Sequence, residues 1–197
     1  MARRLFLFAH GAGAPSSSAW MRAWAQRLET LGSVVSFDYP YMAARRRTPD
    51  KLPALVDAHR SALAAARQRH SGPIILIGKS MGGRVGCHLA LEETVAGLVC
   101  LGYPLKGAGK SGKMRDEVLL ALRTPVLFVQ GTRDALCPLE LLAEVRTRMQ
   151  VPSELEIVES GDHSLLATKA HLSAQGITQA EVDAQVLAAI DAFTGAL

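Results

Sequence analysis

Cysteine is scarce in this sequence, and its three copies, Cys87, Cys100 and Cys137, make an odd number. A disulfide framework is thereby excluded, and free thiols in a reducing, cytoplasmic compartment are expected. No Cys and His fall at metal-ligand spacing, so no metal and no other cofactor is expected. Long apolar runs are missing too. No stretch is long enough to cross a bilayer, so no membrane contact is expected. Leu5 to Ala9, behind Arg3 and Arg4, is too short for the core of a secretory signal, and His10-Gly11 follows it without a cleavage-like site. Charge of one sign is in small excess. A net charge of +4 is too little to imply nucleic-acid binding. There is no internal repeat and no long linker, and 197 residues suit one domain, 1–197, with a good-sized core.

A phosphate-cradling loop is also lacking. Gly78-Lys79-Ser80 resembles the end of one, but Pro73 stands where the first glycine belongs, and the intervening residues form an apolar run. Gly109-Lys110-Ser111 fails in the same way at Pro104.

The most informative stretch present is Ile74-Ile75-Leu76-Ile77-Gly78-Lys79-Ser80-Met81-Gly82-Gly83. Four apolar, mostly β-branched residues end at a glycine, and a helical pattern through Val85, Leu89 and Ala90 follows. This reads as strand, sharp turn, helix, with Gly78-Lys79-Ser80-Met81-Gly82 as a G-x-S-x-G turn. A serine held in a strained turn leaves no room for Cβ atoms two residues away on either side.

Strands alternate with helices along the whole chain. Strands are expected at Leu5–Ala9, Val34–Asp38, Ile74–Ile77, Val95–Leu101, Pro125–Gln130 and Leu155–Val158. Helices are expected from a cap at Ser16, Ser17 or Ser18 to about Leu31, from Pro49 to His70, and from Ser80 to near Glu93. Others follow near Arg115–Leu122, over Pro138–Met149, and over Thr178–Phe193, with Tyr39–Met42 as a loop. The pattern predicts a three-layer α/β/α fold around a six-stranded, mostly parallel sheet, with ligands at the carboxyl ends of the strands.

Three turns at that edge carry complementary chemistry. Ser80 supplies a hydroxyl that needs a base, His163 can be that base because an imidazole can exchange a proton near neutral pH, and Asp134 can orient its imidazole. The order Ser, Asp, His is that of the α/β-hydrolase arrangement. The backbone N–H groups of Met81 and Ala12 are the expected oxyanion hole, with Gly11 and Gly13 letting the backbone approach. Asp162, as the immediate neighbour of His163, is poorly placed to reach its ring nitrogen, so Asp134 is preferred as the acid. His10 is read as a structural histidine and Cys137 as an inert buried thiol. His59, His70, His88 and His171 fall on helices or a late loop, as surface or core residues.

The chain resembles an α/β-hydrolase trimmed of the fold's first two strands. The matching stretches are His10-Gly11-Ala12-Gly13, Phe37-Asp38-Tyr39-Pro40, Gly78-Lys79-Ser80-Met81-Gly82-Gly83, Gly102-Tyr103-Pro104-Leu105, Phe128 to Asp134, and Gly161-Asp162-His163-Ser164. More narrowly, it is similar to the small hydrolase-like family shared with a regulatory subunit of the NSL chromatin complex and with testis-expressed hydrolase-like proteins. The resemblance implies a serine hydrolase acting on a small ester or thioester, as a monomer or homodimer. Its alternative is an idle hydrolase fold used as a protein-binding module. A cap would be inserted at about Gly102 to Thr124, which holds only a loop and a short helix, so a lidless, shallow, wet site is expected. Substrate contacts are expected from Gly11, Gly13, Lys79, Tyr41, Arg45 and Lys106. Arg45, Arg46, Arg47, Lys106, Lys110 and Lys113 are expected to form a positive rim favouring anionic substrates.

Overall fold

Strand β1 (Leu5–Ala9) is apolar at every position, and its pleat divides it between two cores. Leu5, Leu7 and Ala9 face one side of the sheet, and Phe6 and Phe8 face the other. The same division runs through β3 (Ile74–Lys79), where Ile74 and Leu76 oppose Ile75 and Ile77. A strand buried on both faces needs helices on both faces, and the computed structural model, which describes residues 3–107 and 112–197, has them.

The remaining strands are β2 (Ser33–Phe37), β4 (Gly97–Leu101), β5 (Val126–Gly131) and β6 (Ser153–Val158). The six lie in the order β2-β1-β3-β4-β5-β6, and every neighbouring pair is parallel. Helices α1 (Ala19–Leu28) and α8 (Gln179–Gly195) cover the Phe6 face through Met21, Trp24, Leu28, Val186 and Ile190. Helices α3 (Leu52–Arg67), α4 (Met81–Leu89), α5 (Glu117–Leu120) and α6 (Leu139–Arg148) cover the Leu7 face. The predicted three-layer α/β/α architecture is present.

Strand order decides where the site lies. After β2, on one side of β1, the chain crosses to place β3 on the other side. The loops leaving β1 and β3 therefore part, and leave a crevice at the carboxyl edge. Between β4 and β5 the described residues hold a Lys106–Met114 bridge and the four-residue α5, and no cap domain.

Two helices depart from the sequence reading. Tyr39–Met42, expected as a loop, contains α2 (Pro40–Ala43), with Pro40 in its first turn. Helix α7 (Lys169–Gln175) was not expected, and it carries His171. It has a Thr168 cap that accepts from His171 N and a Gly176 stop at φ 65°, but it buries no residue and so has no apolar stripe.

Candidate active site

Ser80 sits between β3 and α4 with φ 50° and ψ −114°, a conformation that costs a non-glycine residue about 1–3 kcal/mol. Its amide donates to Leu101 O at 2.9 Å, which ties the turn to β4. The flanking glycines are there for room. A Cβ on Gly82 would stand 2.5 Å from Ala9 O, and one on Gly78 would overlap the Gly83 amide nitrogen. The turn is thus pressed against the end of β1, and the Ser80 hydroxyl projects above the sheet edge.

The side chains named from sequence meet there. Ser80 Oγ lies 2.8 Å from His163 Nε2, and His163 Nδ1 lies 2.7 Å from Asp134 Oδ2. With Nδ1–H donating to the carboxylate, Nε2 is left to accept the serine proton. Asp134 is nearly fully buried, whereas His163 is partly open to solvent. Burial works to raise the Asp134 pKa, but His163 beside it and donors from Leu136 N and Gln130 Nε2 hold it below the ordinary carboxylate range. Asp162 plays a different part. Its Oδ1 accepts from Ser164 N at 2.7 Å and Leu166 N at 3.1 Å, which shapes the turn that presents His163.

The loop after β1 faces this group. Among the described residues the amides of Ala12 and Met81 donate to no backbone carbonyl, and both belong to segments that flank Ser80. Gly11 and Gly13 were expected to be needed for close approach. A Cβ on Gly11 would make ordinary contact with Ser80 Cβ at 3.6 Å, and one on Gly13 would meet nothing within 4 Å. His10 is fully buried, with Nδ1 donating to Gly11 O at 2.6 Å and Nε2 accepting from Tyr39 N at 3.1 Å. It braces the loop, and burial lowers its pKa. Cys137 is buried as well, and its thiol is pushed up to about 12, chiefly by burial.

Several expected substrate contacts fall elsewhere. Tyr41 is fully buried, so a contact with substrate is closed to it. Its hydroxyl donates to Ala12 O at 3.0 Å and holds that loop in place. Burial, with Asp38 and Asp50, pushes that hydroxyl up to about 12, so it remains a donor. Lys106 does not wall the cavity at Ser80, and its amide donates to Leu136 O. Lys113 pairs with Glu117 at 3.5 Å and walls a groove with Arg84 and His88. Lys110 lies outside the described residues. Among the described residues of the expected rim, only Arg45, Arg46 and Arg47 come close, in a cleft walled also by Ala12 and Gly13.

Lys79 does reach the site. Its ammonium lies 4.6 Å from the Trp20 ring centroid and donates to His163 O at 3.0 Å and Ser164 Oγ at 3.1 Å. Burial lowers its pKa against the pull of Asp162 and Asp134.

The cavity at Ser80 measures about 600 Å³, and its walls include Ala12, Trp20, Met21, Leu136 and Leu166. It is larger and more apolar than the shallow, wet site expected, because apolar side chains from α1 and from the loops after β5 and β6 close around it. Trp20 falls within the first helix expected from the sequence, and nothing in its own segment marks it as part of this wall. The Trp20 indole also donates to Ser164 O at 2.9 Å. Gln130 was missed too, although a polar residue ending an apolar strand four positions before Asp134 is a signal. Among the described residues no group of three or more His, Cys, Asp or Glu is placed to hold a metal ion, and no helix is long and apolar enough to cross a membrane.

Residues 2–195 match the family described as "Alpha/beta hydrolase domain". Protein sumv-2 of Caenorhabditis elegans is 32% identical over 98 residues, 49% of this chain but only 8% of that protein's length. Among solved structures, an alpha-beta serine hydrolase homologue from Coxiella burnetii superposes with a TM-score of 0.68 at 21% identity, over 81% of this chain and 76% of that one. A structure from the study of LipS and LipT, two metagenome-derived lipolytic enzymes, superposes with a TM-score of 0.71 at 16% identity, over 100% of this chain and 95% of that one.

Proposed function

The chain belongs to the alpha/beta hydrolase family, and we propose that within it this protein is a serine hydrolase that cleaves carboxylic esters or thioesters. Ser80 Oγ attacks the acyl carbonyl, and His163 Nε2 takes its proton. Asp134 holds the imidazole in the tautomer that can accept and stabilises the imidazolium that forms. The developing oxyanion is met by the Ala12 and Met81 amides, at the N-terminus of α4 where the helix dipole adds to the effect. His163 then protonates the leaving group, and water releases the acyl group from Ser80 with His163 as base.

The observation that carries this reading is the unbroken hydrogen-bond chain from Ser80 through His163 to Asp134, with the serine in a strained turn over a cavity. The cavity volume lies in the range of small-molecule sites, and its apolar walls suit a small organic ester. Free thiols at Cys87, Cys100 and Cys137 suit a reducing, cytoplasmic setting. The test is a screen of activated esters and thioesters over acyl length, with Ser80→Ala beside the wild type. Turnover that disappears in Ser80→Ala is expected. A folded wild type that turns over none of them would favour the idle, partner-binding scaffold.

A further inference from the structure

The cavity at Ser80 does not end the accessible surface at this edge. Ala12 and Gly13 also wall a second cleft of about 510 Å³, completed by Pro15, Met42 and the run Arg45, Arg46 and Arg47. The two spaces share one wall, and Ala12 is the residue whose amide faces the oxyanion in the proposed reaction.

The arginine run is fixed to that wall. Tyr41 Oη donates to Ala12 O at 3.0 Å, and Arg46 N donates to Tyr41 O at 2.7 Å. A second stitch joins Ser16 N to Asp38 Oδ1 at 2.7 Å. The charges are unevenly matched. Arg46 is taken up by Asp50 at 2.7 Å. Asp38 is engaged by Ser16 N and lies 3.7 Å from His10 Nε2. Arg45 and Arg47 are exposed, and among the described residues neither has a carboxylate within ion-pair distance. Two exposed arginines that wall the cleft therefore carry guanidinium groups with no carboxylate partner among the described residues, and can meet an anion.

Direction follows from the proton. His163 must protonate the leaving group, so that group sits on the His163 side, and His163 walls the cavity but not the cleft. The carbonyl oxygen points to Ala12 and Met81. The acyl chain, which needs no proton, is the part free to run past Ala12 into the arginine cleft.

We propose that the cleft of Arg45 and Arg47 is a carboxylate-binding subsite for the acyl half of the substrate, so that the preferred substrates are monoesters or monothioesters of dicarboxylic acids. This rests on the serine hydrolase reading above. The ester is still cleaved at Ser80, and the distal carboxylate is held without reacting. Exposed pairs are each weak, so two of them should raise kcat/KM roughly tenfold at low ionic strength, and salt should screen the gain.

The test compares kcat/KM for the monomethyl esters of succinate, glutarate, adipate and pimelate with that for the methyl esters of neutral acids of equal length. Acetoxyacetate against ethyl acetate places the same charge on the alcohol instead. Each is run with wild type and with the Arg45→Gln, Arg47→Gln double variant at low and high salt. The expected result is a charged-to-neutral ratio of roughly ten at the best chain length, for charge on the acyl half only. It should fall toward one in the double variant and in high salt. A ratio of one at every length, a gain that follows charge on the alcohol, or a gain that persists in the double variant would overturn the subsite. In each of those cases, neutral esters cleaved by wild type but not by Ser80→Ala would leave the hydrolase reading standing. Failure to cleave any ester would bring down both.

Discussion

Gln130 near the end of β5 donates to Asp134 in the turn that follows, a hydrogen bond of 2.5 Å on the same Asp134 oxygen that faces His163. Gln130 is fully buried, so this donor has no water to replace it. It holds the carboxylate against the imidazole and helps keep it ionised.

From this pairing, Asp134→Asn should lower kcat on the order of 10³- to 10⁴-fold, because the wrong tautomer of His163 is then held. Gln130→Met should lower it roughly tenfold or more, the worth of one charge-assisted bond. Asp162→Asn should change it least, since that carboxylate serves Ser164 N and Leu166 N. Steady-state kinetics on one activated ester ranks the three, and a larger loss in Asp162→Asn than in Asp134→Asn would give Asp162 the orienting role.

The two kinds of glycine at the site should separate in stability. Gly82→Ala forces a Cβ to 2.5 Å from Ala9 O, against backbone that cannot move without shifting β1. A loss of about 2 kcal/mol or more is expected, seen as a clear drop in Tm. Gly13→Ala meets nothing within 4 Å and should leave Tm within about a degree or two of wild type. Equal Tm for both variants would mean that the elbow is not pressed against β1.

Acid should find a weak point at His59. It is fully buried beside Tyr39, and burial lowers its pKa from 6.5 to about 3. Between those values the unfolded chain binds a proton that the folded chain refuses. The contribution is therefore complete above about pH 6.5 and is lost progressively as pH falls toward 3. Urea unfolding of wild type and His59→Gln across pH 4 to 7 should give a shallower pH slope in the variant. Parallel slopes would show that His59 is protonated in the folded protein.

The elbow, the order Ser80, Asp134, His163, and the six strands were legible because each has a local cause. Glycine spacing, β-branched runs and turns after strands are all written in adjacent residues. What could not be read depends on contacts distant in sequence. Tyr41 was expected against substrate and is instead a buried brace on Ala12, a contact across 29 positions. Trp20 forms a cavity wall and reaches Ser164 across 144 positions. Lys106 and Lys113 leave the correct edge of the sheet, but Lys106 N bonds Leu136 O and Lys113 walls a groove with Arg84 and His88, partners that are distant in sequence. Helix α7 was missed because it buries nothing, leaving only Thr168 and Gly176 as signals.

The central claim is that Ser80 is a nucleophile activated by His163. Incubation with a fluorophosphonate, followed by intact-mass and peptide mass spectrometry, tests it without knowledge of the substrate. One adduct per chain, located on Ser80, absent in Ser80→Ala and greatly slowed in His163→Ala, is the predicted result. A folded wild type that takes no adduct, or one labelled equally in Ser80→Ala, would contradict it.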